Sequence, residues 1–482
     1  MYGTEILKTY LRYRIDKDGV RNGMNIAELT STFLDAYLHG LRLANVYYSV
    51  YLRAFEKAAA EEREDVIEAM AGAGRGKGTV SYNVAQSIYN KWLKNVDKEL
   101  EAELKSEHFT SLLSRYTQLL LDQRSIFRKA GYPVDYLDRL FDWYVRSQLV
   151  FSLIPKESHL TPHDVIYRKG KVRLLHYRTN RQEEEPSVKK QPLLIIYAPV
   201  NTFHILDLNP KRSVVRELLA PGGLDIYLLD WGYPDWNDDH LSLDDYIGFV
   251  HDAVRVVKDQ TKENKVSILG YCWGGIFALV HAALHPEEVR NLVLMAVPID
   301  FSKDDTILAK WSRVIDVDGM MDEFGHMDGQ VLDLGFLMRN PPRYGFDKYL
   351  KLFQKAHDSE FVDTFTDVER WLYDTPPIPG ALHRQIINDC YRNNLLVAGG
   401  LEITEDGKKH KVNLGQISMP VLSVIAEKDD LVSPAASAAV NEYISSKDKS
   451  VLNNPGGHVA LCISNYSHKK LWPEVAKWLL SR

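Results

Sequence analysis

From about Asn25 to Met70, apolar side chains recur at steps of three and four (Ile26, Leu29, Phe33, Tyr37, Leu41, Ala44, Tyr48, Tyr51, Phe55), and no proline interrupts them. That period predicts a long amphipathic helix, capped at Asn25 and stopped by the glycine-rich run 71–78. A second helical stretch, laced with Lys94, Asp97, Lys98, Glu99 and Glu101, is predicted from about Tyr82 to Ala130. A third runs from Val134 to Leu149, after the Gly131-Tyr132-Pro133 turn. Residues 1–155 therefore read as an all-helical region. Its tyrosines Tyr37, Tyr48 and Tyr51 fit first a face packed inside a helix pair, and second a surface for a partner or a granule.

After Leu160 the period shortens. Runs rich in β-formers (Asp164–Arg168, Val172–Tyr177, Leu193–Pro199, Ile226–Asp230, Val266–Gly270, Leu292–Val297, Val421–Glu427) alternate with helical segments. Such alternation predicts an α/β body, a mostly parallel sheet covered on both faces. The polar, proline-containing Glu183–Lys190 reads as an exposed loop. Between Ile299 and about Leu396 the alternation stops. A helix-rich stretch containing Trp311, Phe336, Trp371 and the Pro376–Gly380 turn intervenes before the strands resume. The body thus divides into a first part at 156–298, an insertion at 299–396 and a second part at 397–482. Insertions at such a point often form lids.

Composition narrows the class. The 482 residues are 45% hydrophobic and 26% charged, which fits a folded enzyme rather than a disordered chain. With 59 Lys and Arg against 65 Asp and Glu, the net charge of −6 offers no global field for nucleic acid or an anionic membrane. The charged N-terminus lacks the apolar core of an export signal, and the longest apolar runs, such as Leu193–Ala198, fall far short of the ~20 residues of a membrane span. Three scattered cysteines, Cys272, Cys390 and Cys462, exclude a disulfide framework and suggest a reducing compartment with one reactive thiol.

The chemistry concentrates in three segments. Val266–Leu269 leads into Gly270-Tyr271-Cys272-Trp273-Gly274-Gly275 and then an apolar helix. A buried strand, Gly-x-Cys-x-Gly and a helix make the nucleophile elbow of an α/β-hydrolase fold, with cysteine replacing serine. Gly270 and Gly274 leave room where a β-carbon would collide, and Cys272 at a helix N-terminus gains thiolate character. An acid and a histidine should follow in that order. The strand from Met419 ends at Asp429-Asp430, with Asp429 the expected acid and Asp430 its rival. Gly456-Gly457-His458 then places the base, His458, on a glycine-rich loop. The amides of Trp273 and Val200 are the candidate oxyanion donors. His281 and His285 share a helix face at a zinc-compatible spacing, but no acidic residue lies between them and the helix must pack on the sheet, so no metal is expected there. Cys390 and Cys462 read as apolar fillers.

At these residues the sequence resembles a polyhydroxyalkanoate synthase, most nearly the class III catalytic subunit. The likeness takes in Leu160–Tyr177, Tyr197–Asn201 with Ile205–Leu208, Asp230–Asp235 with Leu243–Tyr246, the elbow, the 285–293 stretch in outline, Arg370-Trp371-Leu372 and the terminal Gly-Gly-His. It covers about 160–482. The resemblance implies an α/β-hydrolase fold with an inserted, mainly helical cap and an N-terminal helical domain. It implies polymerisation of (R)-3-hydroxyacyl-CoA, short-chain units such as 3-hydroxybutyryl-CoA, into polyester, with CoA as leaving group and no further cofactor. Cys272 would be the acyl-accepting nucleophile, His458 the base and Asp429 the triad acid. A homodimer in the cytoplasm at polymer granules is implied as well. The first 155 residues depart from that subunit, and 88–92, 106–109 and 131–140 are similar to its helical E subunit, an accessory partner that the region would then replace. Rival readings are a cysteine hydrolase (thioesterase, polyester depolymerase, or a dienelactone hydrolase, which shares Gly-Tyr-Cys-x-Gly-Gly) and a non-catalytic granule scaffold.

Overall fold

The computed structural model describes scattered residues between 39 and 58, residues 82–115 with 118 and 119, and 161–178, 190–340, 342–355 and 357–482. The chain divides into two compact units, Met1–Trp143 with Val314–Gly319, and Tyr144–Arg313 with Met320–Arg482. Among the described residues no helix is long and apolar enough to cross a membrane.

In the first unit, helix α1 (Tyr82–Leu104) buries Val96, Leu100 and Leu104. The stretch expected to run unbroken to Ala130 stops at Lys105-Ser106, where the Ser106 hydroxyl accepts from the Phe109 amide and starts a new helical segment. Tyr47, Val50, Ala54 and Ala58 are buried at helical spacing, and Tyr47 meets Phe109 edge to face at 5.8 Å. Tyr51 is half-buried, and its carbonyl accepts from the Trp92 indole. Tyr37, Tyr48 and the helix expected at 134–149 lie outside the described residues, as does most of the 183–190 loop.

The second unit is built on one eight-stranded sheet. Its strands are β1 (His163–Lys169), β2 (Val172–Tyr177), β3 (Gln191–Ile196), β4 (Leu224–Asp230), β5 (Val266–Tyr271), β6 (Val289–Met295), β7 (Val421–Ala426) and β8 (Lys449–Asn454). The spatial order is β1-β2-β4-β3-β5-β6-β7-β8. From β4 to β8 every pairing is parallel, while β2 runs antiparallel to both β1 and β4. The central strands β5 and β7 are buried at every position, as expected where helices cover both faces.

The sheet differs from expectation at its margins. Three expected strands overrun the observed ones: β3 ends at Ile196, β6 at Met295 and β7 at Ala426. β8 was not anticipated from the sequence. Its alternating exposure and single apolar pair, Val451 and Leu452, follow from its place at the sheet edge.

Helix α2 (Leu243–Thr261) opens with a reciprocal capping box between Ser242 and Asp245 and ends at Lys262 in the left-handed region. It packs beside α3 (Trp273–Leu284), which is buried from Trp273 through Ala283. Between β6 and β7 lie mainly short helices, among them Ile307–Val314, α4 (Gly329–Met338), α5 (Ser359–Leu372) and Gly380–Gln385. The Trp371 indole donates to the Thr202 carbonyl at 2.7 Å, and the buried Asn201 amide donates to Leu372 O and Thr375 Oγ1. These bonds fix the end of α5 to the loop that follows β3. A last helix, α6 (Trp472–Leu480), closes the unit.

Candidate active site

The turn from β5 into α3 is sterically dictated. Cys272 caps α3 with φ 53° and ψ −128°, a backbone shape rare for a residue with a side chain. Its amide donates to Met295 O at 3.0 Å, and its carbonyl accepts from Gly275 at 2.9 Å. A Cβ on Gly270 would lie 2.4 Å from Gly275 Cα, and one on Gly274 would lie 2.3 Å from Ile196 O. Both glycines are therefore required by close approach, as the sequence suggested. Cys272 is partly exposed, whereas Cys390 and Cys462 are buried. Burial pushes the Cys390 thiol far up and the Cys462 thiol up to about 12, so neither is a ready nucleophile at neutral pH.

Two loops at the carboxyl edge bring in the other groups. After β7 the Asp429 carboxylate accepts through Oδ1 from the amides of Leu431 (2.9 Å) and Val432 (3.0 Å), which leaves Oδ2 for His458 Nδ1 at 2.7 Å. Asp430 points elsewhere, to Arg339 Nη1 at 2.8 Å and to the Tyr344 hydroxyl. The loop after β8 is shaped by the buried Asn454, whose Oδ1 accepts from Gly456 while its Nδ2 donates to Ser467. Lys428 N donates to Gly456 O at 3.0 Å, which ties the acid loop to the histidine loop.

His458 is buried, and burial alone would favour its neutral form. The Asp429 charge and the Cys272 sulfur outweigh that penalty, and the imidazole is raised to about 10. Tyr271, the residue before the thiol, stacks on the imidazole at 4.9 Å and donates its hydroxyl to the His458 carbonyl at 3.2 Å. Sequence reasoning missed this support, although Tyr271 stands inside the elbow motif. Trp273 is buried at the first position of α3, where its amide has no intrahelical acceptor. Its indole donates to the Tyr391 hydroxyl at 3.3 Å, so a residue of the insertion packs one position from Cys272. Val200 is half-buried at the end of the strand-to-loop stretch after β3. Thiol, base and acid together can carry out acyl transfer through a covalent intermediate.

Residues 192–462, more than half of the chain, match the family model described as alpha/beta hydrolase fold, and 150–218 match the one described as Poly-beta-hydroxybutyrate polymerase (PhaC) N-terminus. The poly(3-hydroxyalkanoate) polymerase subunit PhaC of Haloferax mediterranei is 38% identical over 325 residues, 67% of this chain and 64% of that protein. The protein of the same name from Allochromatium vinosum is 38% identical over 68% of this chain and 90% of its own length. The Synechocystis protein is 36% identical, over 67% and 85%.

Proposed function

Since the chain belongs to the poly(3-hydroxyalkanoate) polymerase family, we propose that it polymerises 3-hydroxyacyl units from coenzyme A thioesters, with 3-hydroxybutyryl-CoA the first substrate to test. The observation that carries this reading is the Asp429–His458 contact behind a strained cysteine elbow.

In the proposed cycle, the raised His458 imidazole already holds the proton of the Cys272 thiol, and Cys272 Sγ attacks the thioester carbonyl. The carbonyl oxygen becomes an oxyanion held by the Trp273 amide and, as second donor, that of Val200. Collapse of this intermediate expels CoA, which leaves with the proton from His458. The product is an acyl-cysteine close in energy to the thioester consumed, so the acyl group stays activated. His458 then removes the proton from the 3-hydroxyl of the next unit, whose oxygen attacks the acyl-cysteine. An ester bond forms, the cysteine sulfur leaves as the thiolate beside the protonated His458, and the lengthened chain, now the thioester of the incoming coenzyme A, acylates Cys272 again. Asp429 holds the imidazole tautomer throughout. No cofactor beyond the coenzyme A of the substrate is needed for these steps.

Water competes with the incoming hydroxyl, which gives the 299–396 insertion a role as a cap that keeps the acyl-cysteine dry. Residues 1–155 are proposed to stand in for the separate helical accessory subunit, and the enzyme to act as a homodimer at the surface of cytoplasmic polymer granules. Adding such a subunit to the purified protein should leave its rate nearly unchanged; a large stimulation would count against a built-in substitute.

Purified protein incubated with 3-hydroxybutyryl-CoA should release CoA and accumulate insoluble polyester. Release with only free hydroxy acid would make the protein a cysteine hydrolase. No release at all would leave a granule scaffold. Cys272→Ala should abolish both CoA release and polymer.

A further inference from the structure

At the far end of α3, about 13 Å along the helix from Cys272 by its rise per residue, a second group of imidazoles converges. His281 and His285 come from α3 and its C-terminal cap, and His251 from the middle of α2. One ring nitrogen from each of the three lies within 4.8 Å of the others. Glu288 enters from the turn before β6, with Oε2 3.7 Å from His281 Nε2 and 3.9 Å from His251 Nδ1.

The hydrogen bonding here is incomplete in a specific way. His281 is fully buried, and both of its ring nitrogens lack a hydrogen-bond partner, as do His251 Nδ1 and Glu288 Oε2. Buried polar atoms are normally satisfied, because each orphan costs about 1–3 kcal/mol. Three of these orphans, His281 Nε2, His251 Nδ1 and Glu288 Oε2, lie together, and two imidazole nitrogens with a carboxylate oxygen are the donor chemistry of a transition-metal site. We propose that His251, His281 and Glu288, completed by His285, bind a divalent transition-metal ion of the zinc type.

The donor set fits that ion. Zinc takes imidazole nitrogen and carboxylate oxygen at about 2.0–2.2 Å in a tetrahedron, so ligand atoms within 4.8 Å of one another need to close by about 1 Å. The neighbours are arranged as supports. Glu405 binds His285 Nε2 at 3.1 Å and leaves Nδ1 as the remaining nitrogen, the carboxylate-to-histidine pattern that orients metal ligands. Lys258 engages Glu288 through Oε1 at 2.6 Å and leaves Oε2 unpaired. The metal would staple α2 to the helix whose N-terminus holds the nucleophile, so its role is structural. The sequence displayed only the His281 and His285 pair; the third imidazole and the carboxylate arrive by tertiary packing.

The test uses full-length, tag-free protein stripped with EDTA, reloaded with zinc chloride and freed of excess by gel filtration. Elemental analysis should find close to one zinc per chain, and the melting temperature should rise on loading. Cobalt substitution should give the visible d–d bands of a tetrahedral site. His251→Gln, chosen because His251 is half-exposed, should lower zinc affinity at least tenfold, and Glu288→Gln serves if that variant misfolds. Cys272→Ser should keep the metal. Zinc at buffer level in the wild type, wild-type affinity in His251→Gln, or loss of zinc in Cys272→Ser would each overturn the proposal. None of these readouts depends on polymerase activity.

Discussion

The two ends of helix α3 place buried histidines in opposite circumstances. Beside its N-terminus, His458 has Nδ1 on a carboxylate, its ring on Tyr271 and its carbonyl under the Tyr271 hydroxyl. Near its C-terminus, His281 is as deeply buried and has no hydrogen bond at either nitrogen. Desolvation penalises the charged form of both rings, yet the first is raised and the second lowered. The partner, not the burial, decides which protonation state the fold selects. One end is complete with protein groups alone; at the other, protein groups leave both ring nitrogens without a hydrogen bond.

The most damaging way to break this contrast is to give His458 the situation of His281. Asp429→Asn leaves the shape but removes the charge that holds the tautomer, and CoA release should fall by about 10³–10⁴-fold, the scale seen when a triad acid is neutralised. A drop of less than tenfold would remove Asp429 from the proposed triad. The same variant carries a pH signature. A folded-state pKa raised from about 6.5 to about 10 stabilises the fold fully below the lower value, and that gain disappears as pH rises through the upper one. The stability gap between wild type and Asp429→Asn, read by denaturant unfolding, should be widest below pH 6.5 and close toward pH 10. A gap that widens with rising pH would invert the assignment. Tyr271→Phe tests the support beneath the ring more gently. Losing one hydrogen bond worth about 1 kcal/mol should lower kcat by roughly fivefold to tenfold with KM little changed. An effect confined to KM would make Tyr271 a substrate contact instead of a positioning residue.

What the sequence disclosed follows from how local each feature is. The interior strands were legible because burial on both faces leaves nearly continuous apolar runs, as in Val266–Tyr271 and Val421–Ala426. β8 was not, because an edge strand needs little apolar character. The overrun at Tyr197 and Ala198 has a related cause: both are buried in the loop that leaves the sheet, and burial was read as pairing. The elbow was legible because close approach at Gly270 and Gly274 imprints glycine on the sequence. Tyr271 was invisible because its role depends on a loop 187 residues away, and His251 because it reaches its partners from another helix.

The smallest expected effect separates neighbours that the sequence could barely rank. Asp430 lies one residue from the proposed triad acid, but its carboxylate serves the insertion, bound to Arg339 at the end of α4 and to Tyr344. The Arg339 guanidinium also lies over the Tyr344 ring at 4.5 Å, so the aromatic contact survives without the charge. Asp430 is 45% exposed, which screens its ion pair, whereas Arg339 is only 8% exposed. Asp430→Asn keeps one oxygen acceptor for Arg339 and turns an amide donor to the Tyr344 hydroxyl, which can accept it, so its cost should be about 1 kcal/mol or less. Because Asp430 does not touch His458, CoA release should stay within about threefold of wild type, a change worth well under 1 kcal/mol in the barrier. Measuring both variants under one set of conditions makes the comparison decisive. If Asp430→Asn lost as much activity as Asp429→Asn, the Arg339 contact would have to matter to the chemistry itself, and the insertion would be part of the catalytic apparatus instead of a cover over it.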